Sequence, residues 1–361
     1  MAVLGPAATA TATAAVPVLP PTAPSSSSTA TTRSTHKQQP AAAGASSSSK
    51  QQPTRAVAAA SGAKPASTSN VSSHQQQQQQ SCDDKDGHYV IVKGDIVVDQ
   101  HLSTKYSVSK LLGQGTFGKV ADCTDLRTNN RVAVKIVRAI QKYREAAAGE
   151  IAVLRTLRKH DPDNKHQCIQ LLNDFDHRNH KCMVFPLHGP SLFDFLKENY
   201  FQPFTLAQVR EFGLQILDSI AFLHRLRIVH TDLKPENILL LSADHTFTTP
   251  PLTTHVYISK RVPVKSYSTQ RVLKSFFIKV IDFGSAAYDN GYKSAVVSTR
   301  HYRAPEIILE LGWSFACDLW SVGCILVELL IGEAVFQTHE NLEHLAMMEA
   351  ILGMFPEDLV R

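Results

Sequence analysis

Leu112-Gly-Gln-Gly-Thr-Phe-Gly-Lys-Val120 constrains this chain more than any other segment. Three glycines at that spacing make a tight turn, and the runs on both sides are β-type: Tyr106–Leu112 before it, Lys119–Cys123 and Arg131–Val137 after it. Dinucleotide-binding units use a similar glycine pattern, but their loop opens into a helix. With strands on both flanks, the expectation is a β-hairpin whose backbone N–H groups close over phosphates where a Cβ would clash.

The residues downstream fit that expectation in one order. Val132-Ala-Val-Lys135 follows one strand later. A lysine at a strand end is ordinarily surface charge; one strand beyond a phosphate loop it can reach the α and β phosphates, and it then needs an anion to hold it. Glu150 stands where that anion is needed, on a segment whose Ala147, Ile151 and Leu154 recur at helical spacing. His230-Thr-Asp-Leu-Lys-Pro-Glu-Asn237 supplies Asp232 to accept or orient a hydroxyl proton, Lys234 to steady a transferring phosphate, and Asn237 to bind Mg²⁺. Asp282-Phe-Gly284 follows the apolar run Phe277–Ile281 and delivers a carboxylate suited to bridging Mg²⁺ and phosphates. Ala304-Pro-Glu306 closes the series.

Two more strand-like runs, Cys168–Leu172 and Lys181–Phe185, precede a helix-rich remainder. Thr205-Leu-Ala-Gln208 reads as a capping box before the stripe Val209, Phe212, Ile216, Ile220 and Leu223. A further helix spans Cys317–Leu330 and stops at Gly332. The fold class is therefore α+β in two lobes. A small antiparallel β lobe with one helix occupies 106–187, an α-rich lobe occupies 188–361, and 82–105 is an approach segment.

Residues 1–81 are Ala, Ser, Thr, Pro and Gln-rich, with glutamines from Gln75 to Gln80, and are expected to be a disordered tail. The formal charge of +5 sits wholly there, in Arg33, Lys37, Lys50, Arg55 and Lys64. The remainder carries 32 basic and 32 acidic residues, so nothing in it points to nucleic acid. No apolar run has membrane-spanning length, and the early chain lacks the pattern of a secretory signal. Six cysteines without a C-x-x-C pair read as reduced thiols.

These elements together resemble protein kinases, and Glu343-His-Leu-Ala-Met-Met-Glu-Ala-Ile-Leu-Gly353 narrows the resemblance to LAMMER-type (Cdc-like) dual-specificity kinases. Their E-H-L-A-M-M-E-R-I-L-G signature differs only at Ala350; an amphipathic helix alone would not account for ten matching positions. His-Thr-Asp at 230–232, Asp282-Phe-Gly-Ser-Ala286 and Ser298–Glu306 are similar to that group, and Asp83–Tyr89 looks like the approach in fungal members. The resemblance implies ATP and Mg²⁺ as cofactors. Gly113, Gln114, Gly115, Thr116, Phe117, Gly118 and Lys119 would form the nucleotide loop, with Leu112, Val120, Ala133 and Leu239 around the adenine, Phe185 as gatekeeper and Leu187 at the hinge. Lys234 with Thr299 is the pattern of Ser/Thr selectivity. Protein substrates of the Arg/Ser-rich splicing-factor class, additional transfer to Tyr, and a place in the nucleus, with the cytoplasm as a second compartment, are implied as well. A monomer is expected, with neither membrane nor nucleic acid as partner.

Four departures carry expectations of their own. Thr231 replaces the arginine that usually receives an activation-loop phosphate, so activity without that phosphate is expected. Pro186 removes a hinge donor, leaving adenine contacts to Leu187. Ser242–Thr269, hydroxyl-rich and followed by basic residues, is expected to be a solvated hairpin or loop, with a docking element for an acidic partner as the lesser reading. The end at Arg361 reads as a C-terminally incomplete domain that leaves Glu306 a buried carboxylate without its cation. That reading keeps a non-catalytic nucleotide-binding scaffold, or an inactive fragment, as the alternative to an enzyme.

Overall fold

The computed structural model describes residues 82–249 and 269–357, so the tail 1–81 lies outside the described residues. The β-branched and alternating runs build one six-stranded antiparallel sheet in the order β1-β2-β3-β4-β6-β5. Its strands are β1 Ile96–Asp99, β2 Thr104–Gln114, β3 Gly118–Asp125, β4 Arg131–Val137, β5 Asn173–His177 and β6 His180–Pro186. The expected small lobe is present, and it takes in part of the approach segment, because β1 pairs with Thr104–Ser107 of β2. Cys168–Leu172 departs from expectation. It forms no strand of the sheet: Cys168 makes an isolated parallel bridge to Val280, and only the Leu172 N–H reaches the sheet, at the Val184 carbonyl of β6. Its apolar residues instead fill the core shared with the second lobe, where Cys168, Ile169 and Leu171 are buried. The edge position goes to the polar run Asn-Asp-Phe-Asp-His, whose charges suit an exposed edge.

Helix α1, Gln141–His160, buries Ala147, Glu150, Ile151 and Leu154 on one face and ends in Arg158, Lys159 and His160, cations that complement its C-terminal dipole. The second lobe is built on α2 Leu192–Glu198, α3 Leu206–Arg225, α4 Pro305–Ile308, α5 Ala316–Ile331 and α6 Asn341–Leu352. Thr205 caps α3 as expected: its hydroxyl accepts from the Gln208 N–H while Gln208 Oε1 accepts from the Thr205 N–H. The stripe from Val209 to Leu223 is buried against α5. Gly332 ends α5 at φ 86°, a left-handed conformation at which any Cβ would also meet the Phe201 carbonyl.

Short antiparallel pairs carry the chemistry between these helices. β7 Ile228–Val229 pairs with β12 Ala287–Tyr288, and β8 Ile238–Leu240 pairs with β11 Ile278–Val280. The segment after Leu241 begins and ends as a hairpin, with β9 His245–Thr248 against β10 Gln270–Leu273; residues 250–268 lie outside the described residues. Among the described residues no helix is long and apolar enough to cross a membrane. All six cysteines are free.

Candidate active site

Strand alternation sets the upper wall of a cleft of about 750 Å³ between the lobes. Val120 lies opposite Lys135, and Ala133 opposite Phe185. Leu112, Val120, Ala133, Phe185, Pro186, Leu187 and Leu239 line the cleft, with Gly113, Gln114, Gly115, Phe117 and Gly118 from the turn between β2 and β3. The glycines differ in kind. A Cβ at Gly118 would collide with the Ile136 carbonyl, so only glycine fits there. At Gly113 and Gly115 nothing lies within 4 Å of an added Cβ, which leaves open room on that wall.

Two expected nucleotide-loop residues, Thr116 and Lys119, are not among those lining the cleft. Lys119 alternates to the face opposite Val120 and is buried there. Its Nζ donates to Asp84 Oδ2 at 3.1 Å and to the Tyr89 carbonyl at 3.0 Å. Thr116 sits at the exposed tip, its carbonyl accepting from Arg138 at 3.4 Å. Ile169 and Ile281, not singled out in the sequence, line the cleft.

Deeper in, Lys135 Nζ donates to Glu150 at 2.8 and 2.9 Å and to Asp282 Oδ1 at 3.2 Å. Burial opposes charge on both Lys135 and Glu150. The two carboxylates outweigh it at Lys135 and push the ammonium's pKa up, whereas Glu150, with one cation, stays above the usual carboxylate range. Asp282, though partly desolvated, is held below that range by Lys135. Its backbone is left-handed at φ 62°, which turns the carboxylate off the end of β11 into the cleft. A side chain at Gly284 would crowd Asp282 Oδ1 at 3.3 Å and Glu150 Oε2 at 3.4 Å.

Asp232 is gripped from two sides. Lys234 Nζ donates to Oδ2 at 2.8 Å, while the Thr299 N–H and hydroxyl donate to Oδ1 at 3.0 and 2.7 Å. Burial would raise its pKa, but these donors outweigh burial and keep the group a carboxylate. Lys234 Nζ also reaches the Thr299 hydroxyl at 3.0 Å. Asn237 Nδ2 donates to the Asp232 carbonyl at 2.9 Å, which leaves Oδ1 available as a hard oxygen donor beside Asp282, a pair suited to Mg²⁺.

The scaffold under this loop is polar and buried. Asp318 of α5 accepts from the His230 and Thr231 N–H groups, each at 2.9 Å, and bonds His224 Nε2 at 2.9 Å. Those bonds hold Thr231 at φ 68°, a strained backbone for a β-branched residue. The Thr231 hydroxyl donates to the Ser285 carbonyl at 2.8 Å, and the His230 ring packs on Phe283. The segment after Asp282 is thereby tied to the Asp232 loop.

Beyond it, Asp289 accepts from Arg227, Lys293 and Ser314 at 2.5, 3.1 and 2.6 Å, and Trp313 Nε1 donates to the Ser294 carbonyl. Glu306 is only half-buried, so the expectation of a fully buried carboxylate does not hold, although its α4 neighbours Pro305, Ile307 and Ile308 are buried. Glu328 is the buried acid instead. It is 4% exposed, and burial pushes it up to about 7, against the hydrogen bond it accepts from Tyr302 Oη at 2.6 Å and with Glu236 as a like-charged neighbour.

A family description, the protein kinase domain, matches residues 106–357. The chain is 52% identical over 279 residues to the serine/threonine-protein kinase AFC2 of Arabidopsis thaliana, covering 77% of this chain and 62% of that relative. It is 52% identical to the dual specificity protein kinase lkh1 of Schizosaccharomyces pombe over 77% of this chain and 38% of the relative. For the dual specificity protein kinase CLK4 of Homo sapiens the figures are 48%, 77% and 54%. The crystal structure of the PF14_0431 kinase domain superposes with a TM-score of 0.68 at 34% identity, covering 77% of each chain. The chain thus spans about three fifths or less of these three curated relatives.

Proposed function

The chain belongs to the protein kinase family, in its LAMMER (Cdc-like) group, and on that premise we propose that it transfers the γ-phosphoryl group of ATP to Ser and Thr, and also Tyr, of Arg/Ser-rich proteins in the nucleus. The observation that carries the reading is the joint placement of Lys135, Glu150, Asp282, Asn237, Asp232 and Lys234 around one cleft mouth, with the two lobes already aligned. Bound ATP and Mg²⁺ supply the phosphoryl group and the charge that neutralises it; Asn237 and Asp282 would hold the metal. Lys135, kept charged by two carboxylates, is suited to orient the phosphate tail. Asp232, kept ionised by Lys234 and Thr299, can take a hydrogen bond from an incoming hydroxyl and orient it.

Two features support the finer parts. Glu236, on the cleft wall, and buried Glu328 are neighbouring acids, and among the described residues no cation bonds either, Lys234 acting on Glu236 only through its field. A substrate guanidinium, planar and permanently charged, would satisfy such a pair. The bonds from Thr231 to Ser285 and from Asp289 to Arg227, Lys293 and Ser314 order the activation segment without a phosphate. Transfer to an Arg/Ser-rich peptide compared with its Arg→Gln counterpart tests the substrate class: the expected result is a large rise in KM for the glutamine peptide, and equal kcat/KM for both would remove the class.

A further inference from the structure

Away from the nucleotide cleft, three side chains of different donor chemistry converge where residues 82–90 fold against the sheet. Bonds from the Val90 N–H to the Cys82 carbonyl and from the Asp84 N–H to the His88 carbonyl make this stretch a small hairpin, with Asp83 across from Tyr89. Tyr89 is buried and meets the rings of His177 and His180 edge-on. His180, at the start of β6, is 0% exposed. Its Nδ1 lies 2.7 Å from the Val137 carbonyl oxygen. A carbonyl only accepts, so Nδ1 carries a hydrogen and a neutral ring presents a lone pair at Nε2. That lone pair faces Asp83 Oδ1, another acceptor, at 2.7 Å. Two acceptors at that separation require a cation between them. Cys82 Sγ lies 3.3 Å from the same Oδ1, and all three donor atoms lie within 4.8 Å of one another.

A proton satisfies this geometry as an ion pair of His180 with Asp83, and a metal ion held between the same donors satisfies it equally. We propose that Cys82, Asp83 and His180 form a site for a zinc-class divalent cation. One sulfur, one nitrogen and one oxygen donor suit zinc and select against the hard cation that serves the nucleotide. The bond from Nδ1 to a backbone carbonyl fixes the tautomer and ring orientation, as it does for ligating histidines generally. Each donor would sit about 2.0–2.3 Å from the metal, so binding widens the gap between His180 and Asp83. Cys82 and Asp83 are half-exposed and belong to a surface hairpin, so they can move to allow it. On binding, the Cys82 thiol proton and the proton shared by Asp83 and His180 leave to solvent, and water takes the fourth position. The metal would staple 82–90 to β6, next to the ion pair of Asp84 with Lys119 on the return strand of the glycine loop.

The test uses the full chain and Co²⁺ as the probe. The expected result is thiolate-to-cobalt charge-transfer absorption saturating at one equivalent and displaced by Zn²⁺. That band is absent from Cys82→Ser, and in Asp83→Asn the affinity falls by at least about 10–100-fold. The other five cysteines are buried, so none competes for the probe in the folded chain, and Co²⁺ on the Asn237 and Asp282 oxygens produces no thiolate band. Circular dichroism confirms that both variants fold. Absence of the band from the wild type would leave the proton as the sole occupant and overturn the proposal, as would an equal band in Cys82→Ser.

Discussion

Replacing Lys135 by methionine removes the ammonium bonded to both Glu150 and Asp282. The Lys135 side chain is 14% exposed and that of Glu150 6%, whereas Asp282 at 39% can recover water. The uncompensated charge therefore falls mainly on Glu150. Removing one partner of a buried pair costs about 3–5 kcal/mol, and partial access of water to Lys135 places this case at the lower end, about 3 kcal/mol. Adding Glu150→Gln removes the stranded charge, so the double variant should recover about 1–2 kcal/mol relative to Lys135→Met alone. Urea unfolding of the nucleotide-free chain, followed by the fluorescence of Trp313 and Trp320, measures both. Losses that add to within about 0.5 kcal/mol would show that the pair is not energetically coupled and would refute the reasoning. Nucleotide affinity should fall in both variants, since neither retains the cation.

Glu328 gives the fold a pH dependence of known sign. Its pKa is raised from 4.5 to about 7, so between those values the folded chain holds a proton that the unfolded chain has released. Stability should therefore fall as pH rises from about 5 to above 7, by up to about 3 kcal/mol, and Glu328→Gln should flatten that slope. Unfolding midpoints at pH 5.5 and 8 compare the two; parallel slopes would contradict the assignment. Thr205→Ala removes one half of the α3 capping box and should cost about 1 kcal/mol, with no change in KM for ATP. Phosphatase-treated protein should keep its turnover, because Thr231 and Asp289 already fix the activation segment; loss of turnover would contradict that account.

What the sequence revealed follows from how local each signal is. The α3 cap was legible because Thr205 and Gln208 bond each other across three residues, and the α5 stop because glycine tolerates φ 86°. The residues around the cleft were legible as an ordered series, although no single member is distinctive. The direction of the Lys119 side chain had a usable signal: in a strand its neighbour Val120 faces the cleft, so the lysine side chain must face away. Cys168–Leu172 carried a strand's composition but a core segment's role, and run composition alone does not separate the two. The contacts of the approach segment, from Asp84 to Lys119 and from Asp83 to His180, join residues 35 and 97 positions apart and leave no periodic trace.

The central claim is that Asp232, held by Lys234 and Thr299, serves transfer from a nucleotide seated against Lys135. Its most direct test incubates the purified chain with labelled ATP, Mg²⁺ and an Arg/Ser-rich peptide, beside the Asp232→Asn variant, with nucleotide binding measured on both. The account predicts transfer by the wild type, a fall in kcat of about 10²–10⁴-fold in the variant, and similar nucleotide affinity in the two. Equal transfer by both proteins, or none from a wild type that binds ATP, would contradict it.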